Sequence, residues 1–158
     1  MAIDPRIVPD VALNDGTSIP QVGFGLWQVP PAEAEEATAE ALRVGYRHID
    51  SAAVYANEAE AAAALAKSGL ARESVYVTTK LWNPDHGYDE AMRAFDTSMA
   101  KLGFDQLDLY LIHWQCAQHD RYVETWRALI DIQASGRVRS IGVSNFKEPA
   151  LRRIIDET

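Results

Sequence analysis

The stretch from Arg47 to Glu58 reads Arg-His-Ile-Asp-Ser-Ala-Ala-Val-Tyr-Ala-Asn-Glu. Its pattern predicts a short strand that ends at Asp50, a loop of small residues that carries Tyr55, and a helix whose cap is Asn57. In α/β barrels and sheets, chemistry is placed at the carboxyl ends of strands and in the loops that follow them. The stretch therefore predicts both a fold class and the position of a site.

The rest of the sequence repeats this strand and helix unit. A hairpin is predicted over residues 11–20, where Asn14-Asp15-Gly16 supplies the turn. Further strands are predicted at 22–27, 47–50, 74–81, 107–113 and 138–143, and helices at about 33–44, 58–68, 88–102, 122–134 and from 148 onward. Glycines at positions 45, 69, 103 and 136 follow the first four helices, where a chain leaving a helix turns left-handed. The alternation predicts a parallel sheet of about five βα units in a single domain, residues 1–158.

Alternate residues of a strand face opposite sides, and the polar ones share a side here. Asp50, Lys80, His113 and Ser144 lie on faces of mixed polarity, whereas the opposite faces are apolar. Such a pattern predicts a barrel lumen that opens onto one site. A (β/α)8 barrel needs eight units, so the residues alone leave open an incomplete barrel and an open, flavodoxin-like sheet. Unpaired edge strands would allow self-association.

Composition narrows the class of protein. The 158 residues are 47% hydrophobic, which is enough for a core. The net charge is -8 and the lysines and arginines form no basic stripe, so a nucleic-acid-binding protein is not expected. Cys116 is the only cysteine, so no internal disulfide forms. No apolar run approaches the roughly 20 residues that cross a membrane, residues 1–9 lack a signal-peptide pattern, and no metal-ligand spacing is present. We expect a cytoplasmic protein without a metal.

Five short motifs carry a family resemblance. They are Gly23-Phe24-Gly25-Leu26-Trp27-Gln28, the stretch at 47–58, Val77-Thr78-Thr79-Lys80-Leu81-Trp82, Asp108-Leu109-Tyr110-Leu111-Ile112-His113-Trp114 and Arg139-Ser140-Ile141-Gly142-Val143-Ser144-Asn145-Phe146. Together they resemble the aldo-keto reductases, of the small bacterial type represented by 2,5-diketo-D-gluconate reductases, from about Val11 to the end. The resemblance implies the α/β class and a (β/α)8 TIM barrel, incomplete here. Gln115-Cys116-Ala117 departs from the family, which commonly has proline after the histidine-tryptophan pair.

The resemblance also implies an activity and its catalytic residues. Aldo-keto reductases reduce aldehydes and ketones with NADPH, and their tyrosine, lysine, aspartate and histidine correspond to Tyr55, Lys80, Asp50 and His113. Tyrosine would donate the proton, and bringing its pKa from about 10 to neutrality takes about 4 kcal/mol. An ammonium about 4 Å away supplies about that much at an effective dielectric near 20, so Lys80 is of adequate strength. Asp50 would hold Lys80, and His113 would orient the substrate oxygen.

Cofactor and substrate residues follow from the same resemblance. Cofactor contacts are implied for Leu26, Trp27, Asp50, Ser144 and Asn145, the last two at the nicotinamide carboxamide. Substrate contacts with a small carbonyl compound are implied for Trp27, Trp82, His113 and Trp114. Each tryptophan has an alternative reading as a partly buried apolar group. For the whole chain, the alternative is a non-catalytic barrel fragment or auxiliary binding subunit.

Overall fold

An antiparallel hairpin precedes five parallel strands in residues 8–158, the part of the chain that a computed structural model describes. The hairpin pairs β1 (Asp10–Ala12) with β2 (Ser18–Pro20). The parallel strands are β3 (Phe24–Gly25), β4 (His48–Asp50), β5 (Tyr76–Leu81), β6 (Leu107–Ile112) and β7 (Val138–Val143). They alternate with the helices α1 (Pro31–Val44), α2 (Glu58–Lys67), α3 (Tyr88–Leu102), α4 (Tyr122–Ala134) and α5 (Glu148–Glu157).

The order of the strands decides between the two sheet architectures. The parallel strands lie side by side in chain order, β3-β4-β5-β6-β7. Crossovers between parallel strands are right-handed, so an order without reversal places every connecting helix on the same face of the sheet. A doubly wound, flavodoxin-like sheet requires a reversal of strand order. The chain therefore forms the incomplete barrel, and the flavodoxin-like alternative is wrong.

The core lies between the helices and the outer faces of the strands. Ile49, Val77 and Ile112 are buried there, as the alternation of polar and apolar residues predicts. Phe95 of α3 is fully buried and packs edge-to-face on Tyr110 of β6, with ring centroids 5.0 Å apart. An aromatic pair of this kind adds about 0.5–1.5 kcal/mol to the gain from burial. The helices are thereby fixed against the strands whose ends carry the polar residues.

Polar groups line the inner face of the sheet. His48 Nε2 lies 3.0 Å from Thr78 Oγ1. Burial lowers the pKa of the His48 imidazole. Thr17, in the hairpin loop, shares a hydrogen bond of 2.8 Å with Ser140 of β7. The hairpin thus reaches the inner face of the sheet from one side, and the carboxyl ends of the strands are left for the site.

The predicted strands and helices are present, with bounds that differ from the predicted ones by up to two residues at either end. The bounds of α3, α4 and β7 are those expected, and Gly103 ends α3 in the left-handed conformation (φ 67°). The first parallel strand is shorter than the predicted 22–27, because β3 pairs only with the three-residue β4. Asn57 is the N-cap residue of α2, as predicted, but its side chain makes no capping bond. Its amide is instead directed at backbone carbonyls of the loop after β3.

Candidate active site

The carboxyl ends of three adjacent strands bring the ionisable residues together. Asp50 ends β4, Lys80 is the penultimate residue of β5, and His113 directly follows β6. Tyr55 closes a short 3₁₀ turn in the loop after β4. Parallel strands in register place these positions at one edge of the sheet. The structure therefore assembles the four residues to which the sequence assigns catalytic roles.

Lys80 is held by two acceptors. Its Nζ donates to Asp50 Oδ1 at 2.5 Å and to the carbonyl oxygen of Ser51 at 2.8 Å. Only 7% of the Lys80 side chain is exposed, against 32% of the Asp50 side chain. A buried ammonium needs such partners, since desolvation of an unpaired charge is costly. The position of this charge is consequently set by β4 and the residue after it.

Tyr55 lies between Lys80 and His113. The Lys80 Nζ is 5.1 Å from the Tyr55 ring centroid, and the Tyr55 and His113 rings meet edge-to-face at 5.6 Å. Burial raises the pKa of the Tyr55 phenol above its ordinary value, and the Asp50 carboxylate raises it further. The lowering expected from Lys80 is therefore not produced, because burial and the Asp50 carboxylate both act in the opposite direction. Tyr55 keeps its proton at neutral pH, the form a proton donor needs.

His113 is buried and neutral. Burial lowers the pKa of its imidazole, and the Lys80 ammonium lowers it further, so the ring is uncharged at pH 7. The ring packs edge-to-face on Trp82 with centroids 5.3 Å apart. Its Nδ1 has no hydrogen-bond partner among residues 8–158. A neutral imidazole can donate one N–H to a carbonyl oxygen and so orient a substrate.

A cleft of about 620 Å³ opens beside these rings. The predicted substrate residues all line it, and sequence reasoning missed most of their neighbours in the loops after β3 and β4. The lining consists of Trp27, Gln28, Val29, Pro30, Pro31, Val54, Tyr55, Trp82, His113 and Trp114. Trp27 and Trp114 are 68% and 46% exposed, so they are not core residues. The wall is aromatic and carries no formal charge at pH 7.

Not all of the predicted cofactor residues have side chains at the cleft. Ser144 and Asn145 follow β7, and Asn145 adopts φ 59° and donates to the His113 carbonyl oxygen at 2.9 Å and to Ser144 Oγ at 3.0 Å. They adjoin the site through the His113 backbone. The side chain of Leu26 is fully buried in the core and does not reach the cleft. Its backbone N–H and carbonyl are both bonded, to Asp50 and Asn57.

Two buried polar residues behind the cleft were not predicted to belong to the site. Ser51 Oγ donates to Asn57 Oδ1 at 2.8 Å, while the Ser51 carbonyl accepts from Lys80. Both side chains are essentially without exposure. The sequence does place two polar residues inside the motif at 47–58, although it does not show which backbone groups they meet.

Within residues 8–158, no group of three or more His, Cys, Asp or Glu side chains is arranged to hold a metal ion. No helix in the same range has the length and apolar character needed to span a bilayer.

The chain is similar in sequence and in fold to known proteins of one family. The sequence model described as the Aldo/keto reductase family matches residues 21–157. The methylglyoxal reductase DkgA of Yersinia pestis is 47% identical over 150 residues, which is 95% of this chain and 53% of DkgA. The crystal structure of an aldo/keto reductase from Brucella melitensis superposes with a TM-score of 0.93 at 54% identity, covering 96% of this chain and 59% of that one.

A ligand complex is among the similar structures. The D53A mutant of Gox0644, crystallised with NADPH, has a TM-score of 0.90 and 43% identity, covering 96% of this chain and 54% of that one. The chain thus spans about half the length of the relatives it matches. With most of its length matched by one family model and with relatives close to half identical in sequence, this chain belongs to the Aldo/keto reductase family.

Proposed function

We propose that this chain carries the catalytic side chains of an NADPH-dependent reductase that converts aldehydes and ketones to alcohols. The observation that carries the proposal is that Asp50, Tyr55, Lys80 and His113 meet at one edge of the sheet, beside a cleft that Tyr55 and His113 line. Membership of the Aldo/keto reductase family supports it, as do the NADPH complex of Gox0644 and the name methylglyoxal reductase borne by DkgA.

The residues after β7 fit a nicotinamide. The side-chain N–H groups of Asn145 are engaged with His113 and Ser144, whereas its Oδ1 has no donor among the described residues. That oxygen can accept a hydrogen bond from a carboxamide, and Ser144 Oγ lies beside it. Ser144 and Asn145 would hold the nicotinamide end, with Trp27 in the wall of the cleft and Asp50 on the Lys80 ammonium. NADPH, when bound, supplies the hydride for the carbonyl carbon.

Tyr55 and Lys80 carry out the proton transfer that accompanies reduction. Tyr55 donates its hydroxyl proton to the substrate oxygen, which gains negative charge as the carbonyl is reduced. The phenolate left behind lies beside the Lys80 ammonium, whose Nζ is 5.1 Å from the Tyr55 ring centroid, and the opposite charges attract. Asp50 and the Ser51 carbonyl hold Lys80 in place. Neutral His113 donates an N–H to the same substrate oxygen and fixes its direction.

The cleft wall favours an uncharged substrate. The residues that line it in the described part of the chain include no lysine, arginine, aspartate or glutamate. A carboxylate or phosphate would lose hydration there without gaining a cationic partner. Aromatic and proline side chains offer apolar contact instead. We propose small neutral aldehydes and ketones as the substrate class.

A non-catalytic role in assembly is the second candidate. In residues 8–158, β3 and β7 each pair on one side only, so each presents an open edge. Such edges can pair with another chain. This candidate expects self-association without turnover, whereas the reductase expects turnover that depends on Tyr55.

Substitution of Tyr55 by phenylalanine tests the proposal. We expect Tyr55→Phe to slow NADPH oxidation with methylglyoxal by about 10²–10⁴-fold, the contribution typical of a positioned general acid. NADPH binding, followed by cofactor fluorescence, should persist. Tyr88→Phe is the matched control, because Tyr88 is exposed and bonds Asp131 away from the cleft. Undiminished turnover in a folded Tyr55→Phe chain would remove the proton-donor role.

A further inference from the structure

The side chain of Asn57 makes three hydrogen bonds, all of them away from the helix that the residue precedes. Its Nδ2 donates to the carbonyl oxygens of Leu26 and Val29, both at 3.0 Å, and its Oδ1 accepts from Ser51 Oγ at 2.8 Å. The residue has no solvent exposure. A buried amide with all its partners in place rigidifies the segments that it joins.

One of those segments is the turn that carries Trp27. The Val29 N–H donates to the Leu26 carbonyl at 3.1 Å, which closes a four-residue turn. Within the turn, Gln28 adopts φ 62°, a left-handed conformation that is strained for a residue with a Cβ. Asn57 bonds the first and last carbonyls of this turn. The turn is therefore held by a side chain from about thirty residues later in the sequence.

The other segment holds the ammonium of the site. Ser51 gives its hydroxyl proton to Asn57 and its carbonyl oxygen to Lys80 Nζ, the latter at 2.8 Å. Its N–H donates to the Thr78 carbonyl at 2.9 Å. Ser51 is thus fixed on three sides, and one residue separates Asn57 from the Lys80 charge.

We infer that Asn57 is a positioning residue that fixes the Trp27 wall of the cleft relative to the Lys80 ammonium. The inference rests on the proposed function for its effect on catalysis, although the mechanical link itself is independent of activity. Asn57 lies behind the cleft and touches no substrate. Its effect acts through Ser51 on one side and through the Leu26–Val29 turn on the other.

Hydrogen exchange of the purified chain tests the link directly. We expect Asn57→Ala to speed exchange of the Val29 amide by about 10-fold to 100-fold, since two hydrogen bonds to the turn are lost. Amides in the middle of α3 and α4 should exchange as before. Thr38→Val is the matched control, because Thr38 is equally buried but its hydroxyl has no partner among the described residues. Unchanged exchange at Val29, or equal acceleration throughout the chain, would overturn the inference.

A second variant keeps the test informative if Asn57→Ala weakens folding. Glycine adopts positive φ without strain, so adding Gln28→Gly should slow Val29 exchange again and restore part of the protection. Asn57→Asp retains an acceptor for Ser51 and loses both donors, and it should resemble Asn57→Ala at Val29. Failure of Gln28→Gly to restore any protection would argue against strain held by Asn57.

Kinetics separates positioning from general stability. For reduction of a neutral aldehyde, we expect Asn57→Ala to raise KM by about tenfold with a smaller change in kcat, because the wall that seats the substrate is loosened. Tyr55→Phe should instead lower kcat. A fall in kcat at constant KM would overturn the assignment. Absence of turnover in the unmodified chain would count against the proposed function, whereas the exchange result decides the Asn57 link alone.

Discussion

Removing either partner of the Lys80–Asp50 pair should have unequal effects on stability. The two groups lie 2.5 Å apart, and at an effective dielectric of about 20 their gross attraction is about 7 kcal/mol. Asp50→Ala leaves an ammonium that is 7% exposed, with only the Ser51 carbonyl as acceptor. One charge-assisted hydrogen bond contributes about 1.5–3 kcal/mol, which does not offset burial of the charge. We therefore expect Asp50→Ala to lower the free energy of unfolding by about 3–5 kcal/mol.

Lys80→Met should cost much less. It removes the buried charge altogether and leaves an Asp50 carboxylate that is one third exposed, so water can solvate it. We expect a loss of about 1 kcal/mol or less. The double variant Asp50→Ala/Lys80→Met should be more stable than Asp50→Ala alone by about 2 kcal/mol, because no unpaired ammonium remains.

Urea denaturation at pH 7, followed by circular dichroism, measures all three free energies. Arg152→Ala serves as a control, because the Arg152–Glu148 pair is 72% exposed on both sides and such pairs contribute about 0–1 kcal/mol. If Lys80→Met proved as destabilising as Asp50→Ala, the reasoning from the buried ammonium would be refuted. A double variant no better than Asp50→Ala would refute it equally.

Three further changes probe the packing and charge of the fold. Burial lowers the pKa of His86, so the unfolded state binds more protons than the folded state near and below about pH 6.5. The urea concentration at the unfolding midpoint should therefore decrease as the pH is lowered from 7.5 to 5.5, and it should decrease less in His86→Gln. Phe95→Ala removes the fully buried ring that packs on Tyr110 and should cost about 3–5 kcal/mol in the same assay. Gly103→Ala should cost about 1–2 kcal/mol through strain at φ 67°, whereas Gly25→Ala, which meets no atom within 4 Å, should fall within about 1 kcal/mol of the unmodified chain.

Sequence patterns predict an element's bounds well where its local sequence preference and its packing against the core favour the same structure. α3 and α4 have strong 3.6-residue apolar periodicity, and their bounds are as predicted. β7 alternates small and apolar residues and is likewise as predicted. β3 is shortened because its length depends on how far β4 extends beside it, which is a property of the pairing. No pattern within 22–27 contains that information.

The site shows the same division between local and long-range information. The sequence predicts the shared location of Asp50, Lys80 and His113, because side chains alternate between the two faces of a strand and the ends of neighbouring parallel strands lie together. Asn57 is the N-cap residue that the sequence predicts, but the partners of its side chain were not predictable, because the carbonyls that accept from its amide lie about thirty residues earlier in the chain. The pKa of Tyr55 was expected to fall because only the attraction to Lys80 was counted, whereas burial of the phenol and repulsion from Asp50 both raise it. The net shift of this pKa depends on the burial of the phenol and on its distances to both charges, which the sequence does not contain.

We propose that Asp50, Tyr55, Lys80 and His113 form a site for NADPH-dependent carbonyl reduction. The most direct test is a titration of the purified 158-residue chain with NADPH, followed by cofactor fluorescence, with methylglyoxal then added and oxidation read at the nicotinamide absorbance. We expect saturable binding and oxidation that depends on the aldehyde. A chain shown by circular dichroism to be folded, yet neither binding NADPH nor oxidising it, would contradict the claim.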